Sequence, residues 1–223
     1  MRHQPTSAER SQAFAWFLAA ARQGNPYAQF NLAMLYKNGT GVPRDDAAAI
    51  AWLRRAAGQR LAFAQSHLGA MLYSSRGGPC DDREAAHWLR CAADQGDASA
   101  QQNLGLLYCH GRGVERDPEA ALGWFYRAAE QGVASAQTLL AECYLYGRGV
   151  AVSYPLAAAW LRKAAEQGDA PAQFNLGVMH ATGQGVAVDP ARAARWYALA
   201  AAQGDASAQN NLAVLHASGT GVA

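Results

Sequence analysis

Side chains able to act as nucleophiles or metal ligands are few in this chain, and their spacing argues against chemistry. Four cysteines and six histidines are spread over 223 residues. Cys80 stands just before an expected helix start, which favours a thiolate, but Asp81 and Asp82 beside it oppose that shift. Cys109 and His110 are adjacent, and neighbours on a helix point about 100° apart, so they do not form a nucleophile–base dyad. His180 and His216 fall where other units place Tyr36, Tyr108 and Tyr144, so a satisfied packing role is expected; no ligand-spaced cluster accompanies them. The Gly-x-Gly segments lack the preceding strand and third glycine of a nucleotide-binding fingerprint. Lys37 and Lys163 are the only lysines, and neither completes a Ser-x-x-Lys motif. No catalytic residue, metal site or cofactor is expected.

What the sequence does repeat is scaffold. Trp16, Trp52, Trp88, Trp124, Trp160 and Trp196 stand 36 residues apart, and so do Leu32, Leu68, Leu104, Leu140, Leu176 and Leu212. Ala-Gln pairs beginning at Ala28, Ala64, Ala100, Ala136, Ala172 and Ala208 keep the same register. One globular core gives no reason for such spacing; an array whose units bury their apolar faces against neighbours does. The period divides a single solenoid domain, 1–223, into an N-terminal half repeat at 1–24 and full repeats at 25–60, 61–96, 97–132, 133–168 and 169–204. A C-terminal half repeat occupies 205–223.

Within residues 25–60, Ala28, Leu32, Leu35 and Tyr36 recur at helical spacing, predicting a first helix over about 26–37. Asn38-Gly39-Thr40-Gly41 ends it, and Gly111, Gly147, Gly183 and Gly219 repeat the stop. Asp45 should cap a second helix carrying Ala49, Trp52, Leu53 and Ala56, with Asp81, Asp117, Ser153 and Asp189 as its equivalents. Asp81 with Glu84, and Thr6 with Glu9, read as capping boxes. Small residues at Ala33, Gly69, Gly105, Ala141, Gly177 and Ala213 let paired helices approach. The tryptophans are expected inside, each filling the space between adjacent hairpins. In the second repeat Arg60 replaces the turn glycine and Ser74-Ser75-Arg76-Gly77-Gly78-Pro79 replaces Gly-x-Gly-Val, which reads as loop drift.

Leu104-Gly105-Leu106-Leu107-Tyr108, Gly111-Arg112-Gly113-Val114, Asp117, Ala121, Trp124 and Ala128-Ala129-Glu130-Gln131-Gly132 together resemble the Sel1-like repeat family, a relative of the tetratricopeptide repeats. The resemblance spans nearly the whole chain. It implies an all-α fold, a right-handed α-solenoid of antiparallel helical hairpins, serving as a non-enzymatic adaptor for protein complexes, often in bacteria. Some relatives are secreted with one disulfide per repeat, but Cys80, Cys91, Cys109 and Cys143 ignore the period. Free thiols and a cytoplasmic location are therefore expected, with a periplasmic or secreted one as the alternative.

A ligand face should vary around common anchors. On the first helices the stripe facing away from Leu32 and Tyr36 starts at Tyr27, Asn31 and Met34, and its central position reads Asn31, His67, Asn103, Leu139, Asn175 and Asn211. An amide donates and accepts at once, so a spaced row could hold an extended peptide backbone, with Met34, Leu106, Val178 and Val214 adding apolar contact. The same amides could instead cross-link helices. The expected partner is a protein or peptide. Net charge of +2 with scattered arginines gives no address to nucleic acid, and the apolar run from Ala13 to Ala21 is too short to span a membrane. Its length and the preceding Arg10 fit a signal segment, but Trp16 and Ala20-Ala21-Arg22-Gln23-Gly24 keep the repeat register, which argues against one. The helix over 206–217 lacks a following tryptophan-bearing helix, from which end-to-end self-association, or a chain cut short, is expected. The alternative classes are a thiol-dependent or cell-wall-directed enzyme and a secreted host-interaction repeat protein.

Overall fold

The structure is a computed structural model that describes residues 6–74 and 81–221. Among the described residues all regular structure is helical, in twelve helices. They are α1 (Ser7–Arg22), α2 (Pro26–Asn38), α3 (Asp46–Gly58), α4 (Ala62–Tyr73), α5 (Asp82–Asp94), α6 (Ala98–His110), α7 (Pro118–Glu130), α8 (Ala134–Tyr146), α9 (Tyr154–Glu166), α10 (Ala170–Thr182), α11 (Pro190–Ala202) and α12 (Ala206–Ser218). The chain forms two compact units, Met1–Arg116 and Asp117–Ala223. In the first, each helix from α1 to α6 packs on the next; in the second, the same holds from α7 to α12. Even-numbered helices are the first helices of the repeats and odd-numbered ones the second. Cys80 and the Ser75 to Pro79 segment lie outside the described residues.

The cores follow the expected register. Leu32, Leu53, Leu68, Leu89 and Leu104 are fully buried in the first unit, as are Leu140, Leu161 and Leu176 in the second. Each such side chain contributes about 1.5–3 kcal/mol by leaving water. Close helix approach depends on the small residues: a Cβ added to Gly69 would meet Leu89 Cγ at 2.5 Å, and one on Gly177 would meet the Tyr197 ring at 2.7 Å.

The two glycines of each Gly-x-Gly turn have different reasons. Gly111 closes α6 in the left-handed conformation (φ 67°), and its amide donates to the Leu107 carbonyl. Gly113 lies against the backbone at the start of α5, where any Cβ would overlap Asp82. The second glycine therefore seats one repeat's turn on the previous repeat's second helix. Gly149 on Pro118, Gly185 on Tyr154 and Gly221 on Pro190 repeat the contact.

The Ala-Gln pairs form a hydrogen-bonded system that the sequence did not announce. Nε2 of Gln29 donates to the Ala21 carbonyl at 3.2 Å, and Gln65, Gln137 and Gln173 do the same to Ala57, Ala129 and Ala165, all at 3.1 Å. Each buried glutamine thus adds a second donor to a carbonyl near the end of the preceding helix that also accepts a backbone amide from the turn, as Ala165 does from Gly168 at 3.0 Å. The glutamine that follows the next second helix then donates back: Gln59 to Gln29 at 2.9 Å, Gln95 to Gln65 at 2.7 Å, Gln167 to Gln137 and Gln203 to Gln173 at 2.9 Å.

Two capping expectations are corrected. Ser153 makes no side-chain cap bond to α9, whereas Asp45, Asp81, Asp117 and Asp189 do cap their helices. Asp81 accepts from the Glu84 amide, but no box closes because the Glu84 carboxylate is taken by Arg54 and Trp88. The Thr6–Glu9 box on α1 is present.

Candidate functional site

The candidate stripe occupies the first helices, whose other face carries the buried leucines. In the first unit Tyr27 and Asn31 are exposed, and Met34, His67, Asn103 and Leu106 are half-buried. Tyr27 and His67 belong to one aromatic cluster through residues the sequence reading missed. The Tyr27 ring is 6.1 Å from Phe63, Phe63 is 4.5 Å edge-on from Phe30, and Phe30 is 5.1 Å edge-on from His67. Phe30 directly precedes Asn31 and Phe63 stands one helical turn before His67, and that placement was the available signal. His67 also donates its Nδ1 proton to the Phe63 carbonyl at 2.8 Å, which fixes the tautomer.

In the second unit Asn175 borders a hollow of about 200 Å³ with Leu145, Tyr146 and Val178, and Tyr146 is 62% exposed. The amides of Asn31, Asn103 and Asn175 make no hydrogen bond to any described residue. Asn211 differs: it bonds the Tyr197 hydroxyl and accepts from Asn210, and so braces α11 against α12. The row thus holds three amides without a partner among the described residues and one that links two helices.

The tryptophan ladder is shallower than expected. Trp160 is buried, Trp52, Trp88, Trp124 and Trp196 are half-buried, and Trp16 is 70% exposed. These indoles reach the flank of the hairpins rather than their centre. A cation one turn on closes the outer face: Arg55 lies 4.4 Å above Trp52, Arg127 4.5 Å above Trp124 and Lys163 4.0 Å above Trp160. Trp16 has Ala19 in that place. Inward, Trp52 touches both the core around Leu32 and the core around Leu53 and Leu68.

Of the reactive side chains, Cys91, Cys109 and Cys143 are free thiols, and Cys143 is buried. Cys91 Sγ is 3.8 Å from His87 Nε2, one turn away on α5. His110 donates to the Leu106 carbonyl, away from catalysis with Cys109. The packing role expected of the two late histidines is corrected. His216 is exposed, and His180 is buried with Nδ1 lacking any partner, because an imidazole replaces tyrosine without reaching an acceptor. Among the described residues no cluster could hold a metal ion, and no helix is long and apolar enough to cross a membrane.

Helical hairpins with this register match a known pattern. The Sel1 repeat matches residues 5–25, 26–60, 62–97, 98–133, 134–169, 170–205 and 206–223. The chain belongs to the Sel1 repeat family. This Sel1 repeat chain is similar to a protective antigen, displaying an SLR fold, present in uropathogenic Escherichia coli strains. The two are 38% identical with a TM-score of 0.87, over 92% of this chain and 44% of that one, so this chain spans less than half of that relative. A Sel1 repeat protein from Oxalobacter formigenes is 32% identical with a TM-score of 0.85, over 94% of this chain and 83% of that one. An immunity protein from Pseudomonas aeruginosa, 22% identical with a TM-score of 0.54 over 90% and 83% of the two chains, shares the fold alone. No curated protein matches the chain. The Sel1 repeat fold generally mediates protein–protein interaction, and proteins built on it are typically non-catalytic scaffolds.

Proposed function

We propose that this Sel1 repeat protein is a non-enzymatic scaffold that binds an extended segment of a protein partner along its first helices. The observation that carries the reading is the unpartnered state of the Asn31, Asn103 and Asn175 amides. A side-chain amide left free beside exposed aromatic and apolar surface can donate to and accept from a peptide backbone without reading its sequence. Tyr27 in one unit and Tyr146 in the other supply the rigid amphipathic contact that interfaces favour. Free thiols at Cys91, Cys109 and Cys143 fit a reducing, cytoplasmic setting.

Affinity capture from the native host, with an Asn103→Ala/Asn175→Ala variant as control, tests the reading. The variant should lose the partner while its melting temperature stays unchanged. Equal loss of stability and binding would mean that these amides brace helices, as Asn211 does. Binding should also survive alkylation of the thiols, which a thiol-dependent activity would not.

A further inference from the structure

One interaction in the first unit has an inverted counterpart in the second. Arg54 on α3 grips Glu84 on α5 with two parallel bonds, Nε to Oε1 at 2.9 Å and Nη2 to Oε2 at 2.7 Å. The indole of Trp88 donates a third bond to the same carboxylate at 3.2 Å. Three repeats further on, the same positions carry Arg162 on α9, Arg192 on α11 and Trp196. The arginine and the indole remain, but the carboxylate they would hold has become a second guanidinium.

The result is a recess of about 440 Å³ bordered by Arg162, Arg192, Arg195 and Trp196. Arg162 and Arg195 have no ion-pair partner among the described residues, and Arg192 is held only by Asp189 at 3.1 Å. Glu166 on the rim is the single carboxylate lining it. His180 also lines the recess; it is 4% exposed and its Nδ1 makes no hydrogen bond. An orphaned polar atom at this depth costs free energy unless something enters to meet it. The residue one turn after Trp196 is Leu199, where Trp52, Trp124 and Trp160 have a covering cation, so this indole presents an apolar wall beside the charges.

We propose that the recess binds an acidic peptide, a Glu or Asp carboxylate sitting between Arg162 and Arg192 where Glu84 sits in the first unit. Arg195 adds charge, the Trp196 indole donates as Trp88 does, and an apolar neighbour in the peptide packs on Trp196 and Leu199. Paired guanidinium donors around a carboxylate give short, charge-assisted bonds and select against an amide of the same shape. The inference rests on the reading of the protein as a scaffold for a protein partner and adds a second, charge-reading contact to it.

The test uses the full chain and a capped peptide alternating Glu and Leu, with its Gln–Leu counterpart as control. The chain carries six tryptophans, so a proton–nitrogen spectrum should show one indole signal for each, with Trp196 assigned through Trp196→Phe. The Glu peptide should shift the Trp196 signal and the Gln peptide should not. Arg192→Glu puts a carboxylate back opposite Arg162, so it should weaken the Glu peptide about tenfold or more while the melting temperature holds or rises. A Trp196 signal unmoved by millimolar Glu peptide, equal binding of the Gln peptide, or undiminished binding by Arg192→Glu would each overturn the proposal. Asn103→Ala/Asn175→Ala should leave the peptide titration unchanged, so failure of the asparagine face and failure of the recess are read separately.

Discussion

Gln203 donates to Gln173 across 30 residues of sequence, and Gln173 in turn donates to the Ala165 carbonyl 3.1 Å away. The middle residue is 4% exposed, so its bond to Ala165 is closed to water, while the bond from the exposed Gln203 is part-buried. Gln173→Leu is expected to destabilise by about 1–3 kcal/mol, through the loss of two hydrogen bonds at about 0.5–1.5 kcal/mol each; the Ala165 carbonyl keeps its bond from the Gly168 amide. Gln209→Leu, at the exposed equivalent position, should change stability by about 0.5 kcal/mol or less. Urea titrations of the two variants check the contrast.

Arg60 holds φ at +65°, the one described non-glycine residue with positive φ. Gly24, Gly96, Gly132, Gly168 and Gly204 take the same turn without a Cβ. Arg60→Gly is therefore expected to stabilise by about 1 kcal/mol, visible as a rise of roughly 2–4 °C in melting temperature. A fall would show that the arginine side chain holds something the strain only offsets.

Gly177 faces the Tyr197 ring, while in the first unit Ala33 and Leu53 are both fully buried in one core. Gly177→Ala alone should cost about 1–3 kcal/mol through overpacking. Combined with Tyr197→Leu it should recover part of that loss, giving a coupling in a double-mutant cycle of denaturation free energies. Strict additivity would place the contact elsewhere.

Burial pushes the Glu142 carboxyl above its ordinary value of 4.5; Arg148 pulls it back and Asp169 adds to the rise. A carboxyl that holds its proton more tightly when folded contributes stability that is full below 4.5 and lost as pH rises through the folded value. Glu142→Gln should accordingly gain on the natural chain at about pH 7 and match it at about pH 4. Melting curves at the two pH values decide it; a gain that persists in acid would point to packing instead.

Periodicity made the twelve helices readable because tryptophan, leucine and glycine mark register, stripe and stop directly. It could not give depth: a constant spacing says that the indoles are equivalent, not what lies above them, and Trp16 and Trp160 differ widely. Arg55, Arg127 and Lys163, each three residues after a tryptophan, were the legible sign of a capped outer face. The asparagine row was visible as a row, but only bonding separates free Asn175 from Asn211 on the Tyr197 hydroxyl. The recess was hidden for a related reason. Aligning Glu84 with Arg192 takes only the sequence, yet its meaning depends on Arg54 and Trp88 closing on that carboxylate in three dimensions.

The glutamine links also bear on how such a chain can change length. Each joins residues 8 or 30 apart, and the next set begins 36 residues on. Duplicating or losing one whole unit of coding sequence would deliver every donor to an acceptor of the same kind, whereas an insertion of a few codons inside a helix would strand both. Inheritance can thus lengthen or shorten the protein in steps of one hairpin, while changes of charge such as that at Arg192 individualise single units without disturbing the rest.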